Sequence, residues 1–195
     1  MPKSILELAT KRKSTRKFSS DPVNLKDVLQ ALEAATQAPS GANQQPWRFL
    51  IIIDPNLRRR VRAACERGEK ELYDNVTGEF GEWLFVKGLS WRKPFLEEAP
   101  LLVAVLMDES AQYARESVWL AVGFILLALE ERGLSTVTYT PSNTDLPLRA
   151  LDIPKGFKLE TILPIGYSAE DKPKEPKFRL EKVAFLNKWG DSIKT

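Results

Sequence analysis

Two short basic clusters, far apart in the chain, carry residue types that bind phosphate. Arg12 and Ser14 stand in the run RKSTR, and Lys177 and Arg179 flank Phe178 near the end. A phosphate dianion needs fixed positive charge and hydrogen-bond donors, and a guanidinium fork beside a hydroxyl supplies both. Each cluster alone is weak evidence, since most short basic runs are simply solvated.

The segment APSGANQQPWRF, residues 38–49, places many polar side chains and two prolines in one connection. It lies between a predicted helix and a strongly apolar run, FLIII. An ordinary polar loop after a helix end would explain Pro39 and Gly41. An ordinary loop does not explain the other polar residues of this segment.

The chain of 195 residues contains no histidine. Histidine is the usual general base, proton shuttle and transition-metal ligand, so its absence excludes Ser-His-Asp triads, Cys-His nucleophiles and His-ligated zinc or iron sites. No catalytic side chain and no metal site is therefore predicted. If the protein is an enzyme, a bound cofactor is expected to carry the difficult chemistry.

Composition limits the class of protein. With 43% hydrophobic and 28% charged residues, the sequence is typical of one soluble domain, here residues 1–195. The net charge of +3 is far below the surplus of a dedicated nucleic-acid binder, so no nucleic-acid partner is predicted. No apolar run approaches the ~20 residues of a membrane span and the N-terminus is unlike a secretory signal, which favours a cytoplasmic protein. Cys65, the single cysteine, is expected to be a small, half-buried apolar residue.

Hydrophobic periodicity predicts both helices and strands around these segments. Helices are predicted over residues 4–11, 25–38, 56–74 and 117–132. Strands are predicted over residues 48–53, 101–107, 135–140 and 160–167. Residues 75–97 are the least regular and suggest a lid, whereas PSNTDLP, residues 141–147, is predicted as a turn. Residues 169–177, AEDKPKEPK, are too rich in proline and charge for a core element and are expected to cross the surface to a partner.

In order and spacing, five motifs resemble the nitroreductase family of FMN-dependent oxidoreductases. They are RKSTRKF, APSGANQQPWRF, GLSTV, LPIGY and KFR; the resemblance covers residues 4–189 and is weakest at 68–97. It implies an α+β, nitroreductase-like fold with a central, mostly antiparallel sheet flanked by helices. It also implies an intertwined homodimer with two FMN sites at the interface, and a C-terminal arm, residues 169–195, over the partner subunit.

The same resemblance implies a set of contacts to the flavin. It places the first basic cluster, including Lys13, on the phosphate and ribityl chain, and Lys177 and Arg179 on the same phosphate. Arg16 would lie near the N1 and C2 carbonyl edge of the ring, where a cation stabilises the reduced flavin.

The segment of residues 38–49 is implied to come from the other subunit and to lie against the flavin. Pro39, Ser40 and Asn43 would supply polar contacts and a shaped wall, while Trp47 is expected to be a packing residue. A loop that crosses an interface to hold a polar ring must satisfy its own backbone as well as the ligand. This requirement accounts for its prolines and amides.

A later segment is implied to face the reactive part of the ring. Thr140 occupies the position expected to face flavin N5, and Pro141 follows where a glycine is frequent. Because proline has no N–H, one hydrogen bond to the flavin must be lost or supplied by Ser142. A basic residue on the pyrimidine side of the ring is expected at Arg92 or Lys93.

The predicted activity is that of an FMN-dependent NAD(P)H oxidoreductase. NADH or NADPH would deliver hydride to flavin N5 and leave, and a small planar acceptor such as a nitroaromatic or a quinone would then take the electrons in a ping-pong exchange. Trp83, Phe85 or Trp91 would stack on the acceptor, although core packing is the simpler explanation for each.

Several alternatives to this activity stay open. The same family scaffold also serves dehalogenation, enone reduction, flavin fragmentation and oxidation of peptide-derived heterocycles. An oxygen-using flavin oxidase is the nearest enzymatic alternative, and a flavin-binding redox sensor or carrier without turnover is another. A basic nucleic-acid module would rest only on KRKSTRK and on the four arginines of residues 58–62.

Overall fold

The computed structural model describes residues 4–193, which form a four-stranded antiparallel sheet with helices on both faces. The predicted α+β fold is therefore confirmed. The strands are β1 (Trp47–Ile52), β2 (Leu101–Asp108), β3 (Ser135–Thr136) and β4 (Phe157–Gly166), and they lie in the order β1-β2-β4-β3. The helices are α1 (Ile5–Lys11), α2 (Leu25–Thr36), α3 (Pro55–Asn75), α4 (Gly78–Val86), α5 (Phe95–Glu98), α6 (Ala114–Glu131) and α7 (Asp145–Ala150).

Strand β2 is buried on both faces and holds the two helical layers together. Its alternate residues belong to two separate cores, as the two-residue period of a strand requires. Val103 packs with α2 and α6, whereas Leu102 and Ala104 pack with α3 and α5. This double burial explains why the sequence of β2 is a continuous apolar run rather than an alternating one.

Helix starts follow the local capping signals. Ser4 and Glu7 form a reciprocal capping box at α1, and the side chain of Asn24 accepts from the Lys26 N–H at the start of α2. At α3, the side chain of Asp54 accepts from the Asn56 N–H. In each case the capping side chain and the N–H that it accepts from lie within three residues of each other, so the signal can be read from the sequence.

Two segments predicted as irregular are helical. Residues 78–86 form α4, and Gly88, in the left-handed conformation with a φ of 62°, ends it. The predicted turn at residues 141–147 overlaps α7, whose first turn accommodates Pro147 because an N–H there has no partner within the helix. The side chain of Asn143 accepts from the N–H groups of Asp145 and Leu146 at 3.1 and 3.4 Å and so starts this helix.

The strand predicted over residues 135–140 is shorter than expected. Only Ser135 and Thr136 pair continuously with β4. The chain then leaves the sheet and returns at Tyr139, whose N–H and carbonyl bond to Ile162 at 3.1 and 2.8 Å. We call this interrupted strand, residues 135–140, the edge segment.

The four arginines near the start of α3 are hydrogen-bonded to other groups of the protein rather than forming a free basic patch. Arg58 donates to the carbonyls of Ile53 and Pro100, and Arg60 donates to that of Ala150. The other two, Arg59 and Arg62, bond to side chains of α3 and α5. Among the described residues, no helix is long and apolar enough to cross a membrane.

Candidate active site

A strongly basic cavity of about 140 Å³ lies where the end of α1 meets the C-terminal tail. It is lined by six basic residues and a single acidic one, which makes it suited to an anion. The lining residues are Arg12, Lys13, Ser14, Arg16, Lys172, Pro173, Lys174, Glu175 and Lys177. We call it the phosphate cavity.

Hydrogen bonds to the sheet edge hold the first basic cluster in place. Arg12 ends α1, and its N–H donates to the carbonyl of Leu8 at 2.9 Å. Ser14 then pairs with Thr136, and the N–H of Thr15 donates to the Thr136 carbonyl at 3.1 Å. The cavity wall is thus attached to the start of the edge segment.

Two lysines clamp the C-terminal tail onto the same wall. The ammonium group of Lys13 donates to the carbonyls of Glu170 and Lys172 at 2.8 and 2.6 Å. In return, Lys174 donates to the carbonyls of Ala9 and Thr10 at 2.6 and 2.9 Å, at the C-terminal end of α1. A cation at this end satisfies free carbonyls and opposes the negative end of the helix dipole.

The structure brings most of the two predicted phosphate-binding clusters together. Arg12, Lys13, Ser14 and Arg16 line the cavity with Lys177 from the tail. Arg179 does not line it and instead precedes a short 3-10 turn, Leu180–Lys182. Sequence patterns did not indicate the tail lysines Lys172 and Lys174, because their position depends on contacts over more than 150 residues.

The predicted ring-binding loop lies outside the phosphate cavity of its own chain. Its backbone is strained, since Ala42, Asn43 and Gln45 have φ values of 47°, 55° and 48°. The hydroxyl of Ser40 accepts from the Gln45 N–H at 3.1 Å, so that side chain supports the loop, while Pro39 is exposed. Strain of this kind gathers at binding sites, but the contacts predicted for Pro39, Ser40 and Asn43 stay predictions.

Thr140 ends the edge segment at a distance from the phosphate cavity, and Pro141 follows it. Four residues of extended chain, from Thr136 to Thr140, span at most roughly 14 Å. The Thr140 hydroxyl donates to the carbonyl of Glu160 at 3.3 Å, and Thr140 lines a second cavity of about 320 Å³. Pro141 is buried, and the N–H of Ser142 is directed to the carboxylate of Glu69.

A buried ionic network that the sequence analysis did not predict lies beside Thr140. The carboxylate of Glu69, on α3, lies 3.4 Å from the ammonium group of Lys93, and their side chains are only 7% and 11% exposed. Oε1 of Glu69 also accepts from the Tyr139 hydroxyl at 2.9 Å and from the Ser142 N–H at 3.0 Å. The two residues that hold Glu69 therefore flank Thr140 and Pro141.

Close packing of α3 makes this network possible. A Cβ at Gly68 would lie 2.7 Å from the Cβ of Asn143, closer than the two groups can approach. Only glycine lets the helix come near enough for Glu69 to reach the chain at residues 139–142. A sequence signal did exist, since Glu69 continues the four-residue spacing of the buried residues Val61 and Cys65.

Lys93 is held in this network at both its backbone and its side chain. Its N–H donates to Glu66 at 2.7 Å, and its ammonium group donates to the Ser90 carbonyl at 2.6 Å. The ammonium group also lies 5.5 Å from the ring centre of Tyr73, within the range of a cation–π contact. Arg92, the other candidate for the pyrimidine side, stacks on Trp91 instead.

Comparison with known proteins identifies the family. A family model described as the nitroreductase family matches residues 9–167. The chain belongs to the nitroreductase family. Within this family, it is 50% identical over 175 residues to an iodotyrosine deiodinase from Thermotoga neapolitana, with 90% of this chain and 94% of that protein covered.

The similar solved structures include one that matches closely in sequence and one that shares only the fold. A crystal structure of oxidized iodotyrosine deiodinase bound to FMN and 3-iodo-L-tyrosine matches with a TM-score of 0.90 and 47% identity, covering 95% of this chain and 100% of that one. An FMN-dependent nitroreductase from Clostridium difficile R20291 matches with a TM-score of 0.72 and 22% identity, covering 93% and 99%. The second likeness shows the fold alone.

These relatives correct the predicted activity. The prediction of an NAD(P)H oxidoreductase that reduces nitroaromatics or quinones is wrong, because the similar proteins are iodotyrosine deiodinases. The alternatives, a sensor or carrier without turnover and an oxygen-using oxidase, do not fit these relatives either. Dehalogenation was noted among the activities of the family scaffold, but no feature of the sequence singled it out.

The thiol of Cys65 gives a test of packing around this network. Cys65 has 0% exposure, and burial raises the pKa of its thiol to about 12, so it stays protonated in the native protein. Because the thiolate is the reactive form, we expect no reaction of the native protein with Ellman's reagent at about pH 8. Unfolding in guanidinium should release one reactive thiol per chain, whereas rapid stoichiometric reaction before unfolding would contradict this packing.

Proposed function

We propose that this protein is an FMN-dependent reductive deiodinase that acts on an iodinated tyrosine. The observation that carries the proposal is the buried pair of Glu69 and Lys93 beside Thr140. A free amino acid presents an ammonium and a carboxylate close together, and this pair presents the complementary charges. The names of the relatives support the same substrate.

The donor set of the phosphate cavity fits the phosphate end of FMN. Arg12 and Arg16 offer guanidinium forks, Ser14 offers a hydroxyl, and Lys177 adds a further cation. From this cavity the edge segment leads to Thr140, which would then lie at the ring end of the flavin. Glu69 and Lys93 would therefore flank the ring, where a substrate must bind to receive electrons.

The Glu69–Lys93 pair would open to admit the amino acid. The substrate ammonium would replace that of Lys93 at Glu69, and the substrate carboxylate would pair with Lys93. Burial raises the pKa of Tyr73, with a smaller contribution from the charge of Glu69, so its phenol stays neutral and can donate to that carboxylate. Charges exchanged in this way keep every buried ion paired, which avoids the high cost of an isolated buried charge.

Helix α4 would cover the aromatic ring of the substrate. Its side chains Phe80 and Trp83 are about half exposed, and Phe85 and Val86 are almost fully exposed, while Leu84 is buried. The rings of Phe80 and Trp83 stack with centres 6.0 Å apart. A group of exposed apolar side chains on one helix favours a lid that closes on an apolar ligand.

The proposed reaction replaces iodine by hydrogen on the tyrosine ring. The carbon–iodine bond breaks, a carbon–hydrogen bond forms, and iodide leaves, with consumption of two electrons and one proton. Reduced FMN supplies the two electrons when it is bound. This chain would bind the amino acid, orient its ring over the flavin and exclude water from the closed site. NADH or NADPH as the source of the electrons stays a prediction.

Assembly as a homodimer belongs to the same proposal. Large apolar side chains are exposed on α6, such as Trp119 and Leu120, and on the C-terminal arm, such as Phe178 and Trp189. Burial of these surfaces against a second copy would remove them from water. It would also allow the segment of residues 38–49 to reach the flavin of the partner, as the family resemblance implies, with residues 169–195 as the arm.

The role of the phosphate cavity can be tested by flavin binding. Arg12→Ala should weaken FMN binding by about 10- to 100-fold through the loss of charge-assisted hydrogen bonds, with little effect on riboflavin, which lacks the phosphate. Quenching of flavin fluorescence measures both. Arg59→Ala, on the exposed face of α3, is the matched control and should bind FMN like the parent protein. Equal FMN binding by Arg12→Ala would place the phosphate elsewhere.

The activity can be tested without assigning the electron donor. Protein loaded with FMN and reduced by dithionite under anaerobic conditions should convert 3-iodotyrosine to tyrosine and iodide in equal amounts. Glu69→Gln should lower kcat/KM for this substrate at least about tenfold, because a charged hydrogen bond to the ammonium is lost. Glu71→Gln, in an exposed pair with Arg67, is the matched control. Absence of iodide from the parent protein would refute the proposal.

A further inference from the structure

We propose that Tyr139 is a positioning residue, whose phenol orients the Glu69 carboxylate to receive the amino group of the substrate. This inference rests on the proposed function. It concerns the hydrogen bond of 2.9 Å from the Tyr139 hydroxyl to Oε1 of Glu69. Tyr139 itself would not touch the substrate.

The sheet fixes the position of the Tyr139 ring. The backbone of Tyr139 makes two hydrogen bonds to Ile162, at 3.1 and 2.8 Å, and its carbonyl accepts a third from the Thr161 hydroxyl at 3.1 Å. Its ring packs edge-on against Phe95, with ring centres 5.5 Å apart. With 8% exposure, the ring has little freedom, so the phenol oxygen is a fixed point on the sheet.

The two oxygens of Glu69 have different partners. Oε1 receives both fixed donors, the Tyr139 hydroxyl and the Ser142 N–H. Oε2 faces the ammonium group of Lys93 at 3.4 Å. Oε1 is thus held in place by two protein donors, whereas Oε2 is directed to an ammonium group. Recognition of an amino group requires such a carboxylate, with one oxygen fixed and the other facing the ligand.

Burial also keeps Tyr139 in the form that donates. It raises the pKa of the Tyr139 phenol, with further contributions from the nearby Cys65 and Glu69, so the hydroxyl keeps its proton at neutral pH. A phenylalanine at this position would retain the packing on Phe95 and lose only the donor. The carboxylate could then rotate about its side chain, and part of its orientation would have to be restored by the substrate.

The contact also links the amino-acid site to the predicted flavin site. Tyr139 directly precedes Thr140, which is predicted to face the ring, and Ser142 follows it after Pro141. Glu69 is therefore held by both ends of the same short segment. A displaced carboxylate would misplace the substrate relative to the ring as well as weaken its binding.

The test compares Tyr139→Phe with the parent enzyme on two substrates. The FMN-loaded, dithionite-reduced proteins are assayed for iodide release from 3-iodotyrosine and from 2-iodophenol, which has no amino group. Tyr139→Phe should raise KM for 3-iodotyrosine about tenfold, with a smaller effect on kcat. Activity on 2-iodophenol should not change, whereas a general structural defect would lower both activities. Tyr167→Phe, outside the site, is the matched control.

A double-mutant cycle supplies the second measurement. If Tyr139 acts through Glu69, adding Tyr139→Phe to Glu69→Gln should cause little further loss on 3-iodotyrosine, because the two effects are not additive. Full additivity, an unchanged KM in Tyr139→Phe, or equal losses on both substrates would overturn the inference. If the parent enzyme releases no iodide from 3-iodotyrosine, the proposed function itself fails. If the parent enzyme does release iodide, the outcomes of the variants bear on the role of Tyr139 alone.

Discussion

A buried carboxylate must be paired, and the pairing of Glu69 determines how the parts of this site lie together. Removal of one partner from a buried ion pair typically costs about 3–5 kcal/mol, because the remaining charge is left without compensation. Glu69 meets this constraint with Lys93, the Tyr139 hydroxyl and the Ser142 N–H. Three separate stretches of chain are thereby held against each other: α3, the residues before α5, and residues 139–142 at the end of the edge segment.

The edge segment joins this network to the phosphate cavity. At its start, Thr136 accepts from the N–H of Thr15 and so holds the cluster that follows Arg12. At its end, Tyr139 returns to β4 and presents its phenol to Glu69. One interrupted strand therefore sets the distance between the phosphate cavity and the Glu69–Lys93 network. This arrangement suits a protein that must align a flavin with a substrate.

Local signals in the sequence account for what could be predicted. The capping residues Ser4 and Asn24 mark helix starts, and the apolar run of β2 marks a strand covered on both faces. Helix α7 was predicted as a turn because Pro147 favours turns. Proline is nevertheless tolerated in the first turn of a helix, where Pro147 lies. Helix α4 escaped prediction because its glycines and aromatic residues are typical of irregular chain.

The site could be predicted only where its residues belong to recognisable sequence motifs. Arg12, Ser14 and Lys177 stand in basic motifs, and the structure places them around one cavity. Glu69 stands in a highly charged helix, where a carboxylate is normally solvated. Its burial depends on the close approach that Gly68 permits to Asn143, a contact between residues far apart in sequence. For the same reason, the family resemblance indicated a flavin site but not the buried network to which we assign the proposed amino-acid substrate.

The most direct measurement is a crystal structure of the protein with FMN and 3-iodotyrosine bound. We predict that the substrate ammonium lies within hydrogen-bond distance of Glu69 Oε2 and that its carboxylate pairs with Lys93, so that the salt bridge between the two side chains is broken. Oε1 of Glu69 should keep its bond to Tyr139. An intact Glu69–Lys93 salt bridge, with the amino acid bound elsewhere, would contradict the proposed recognition of the substrate.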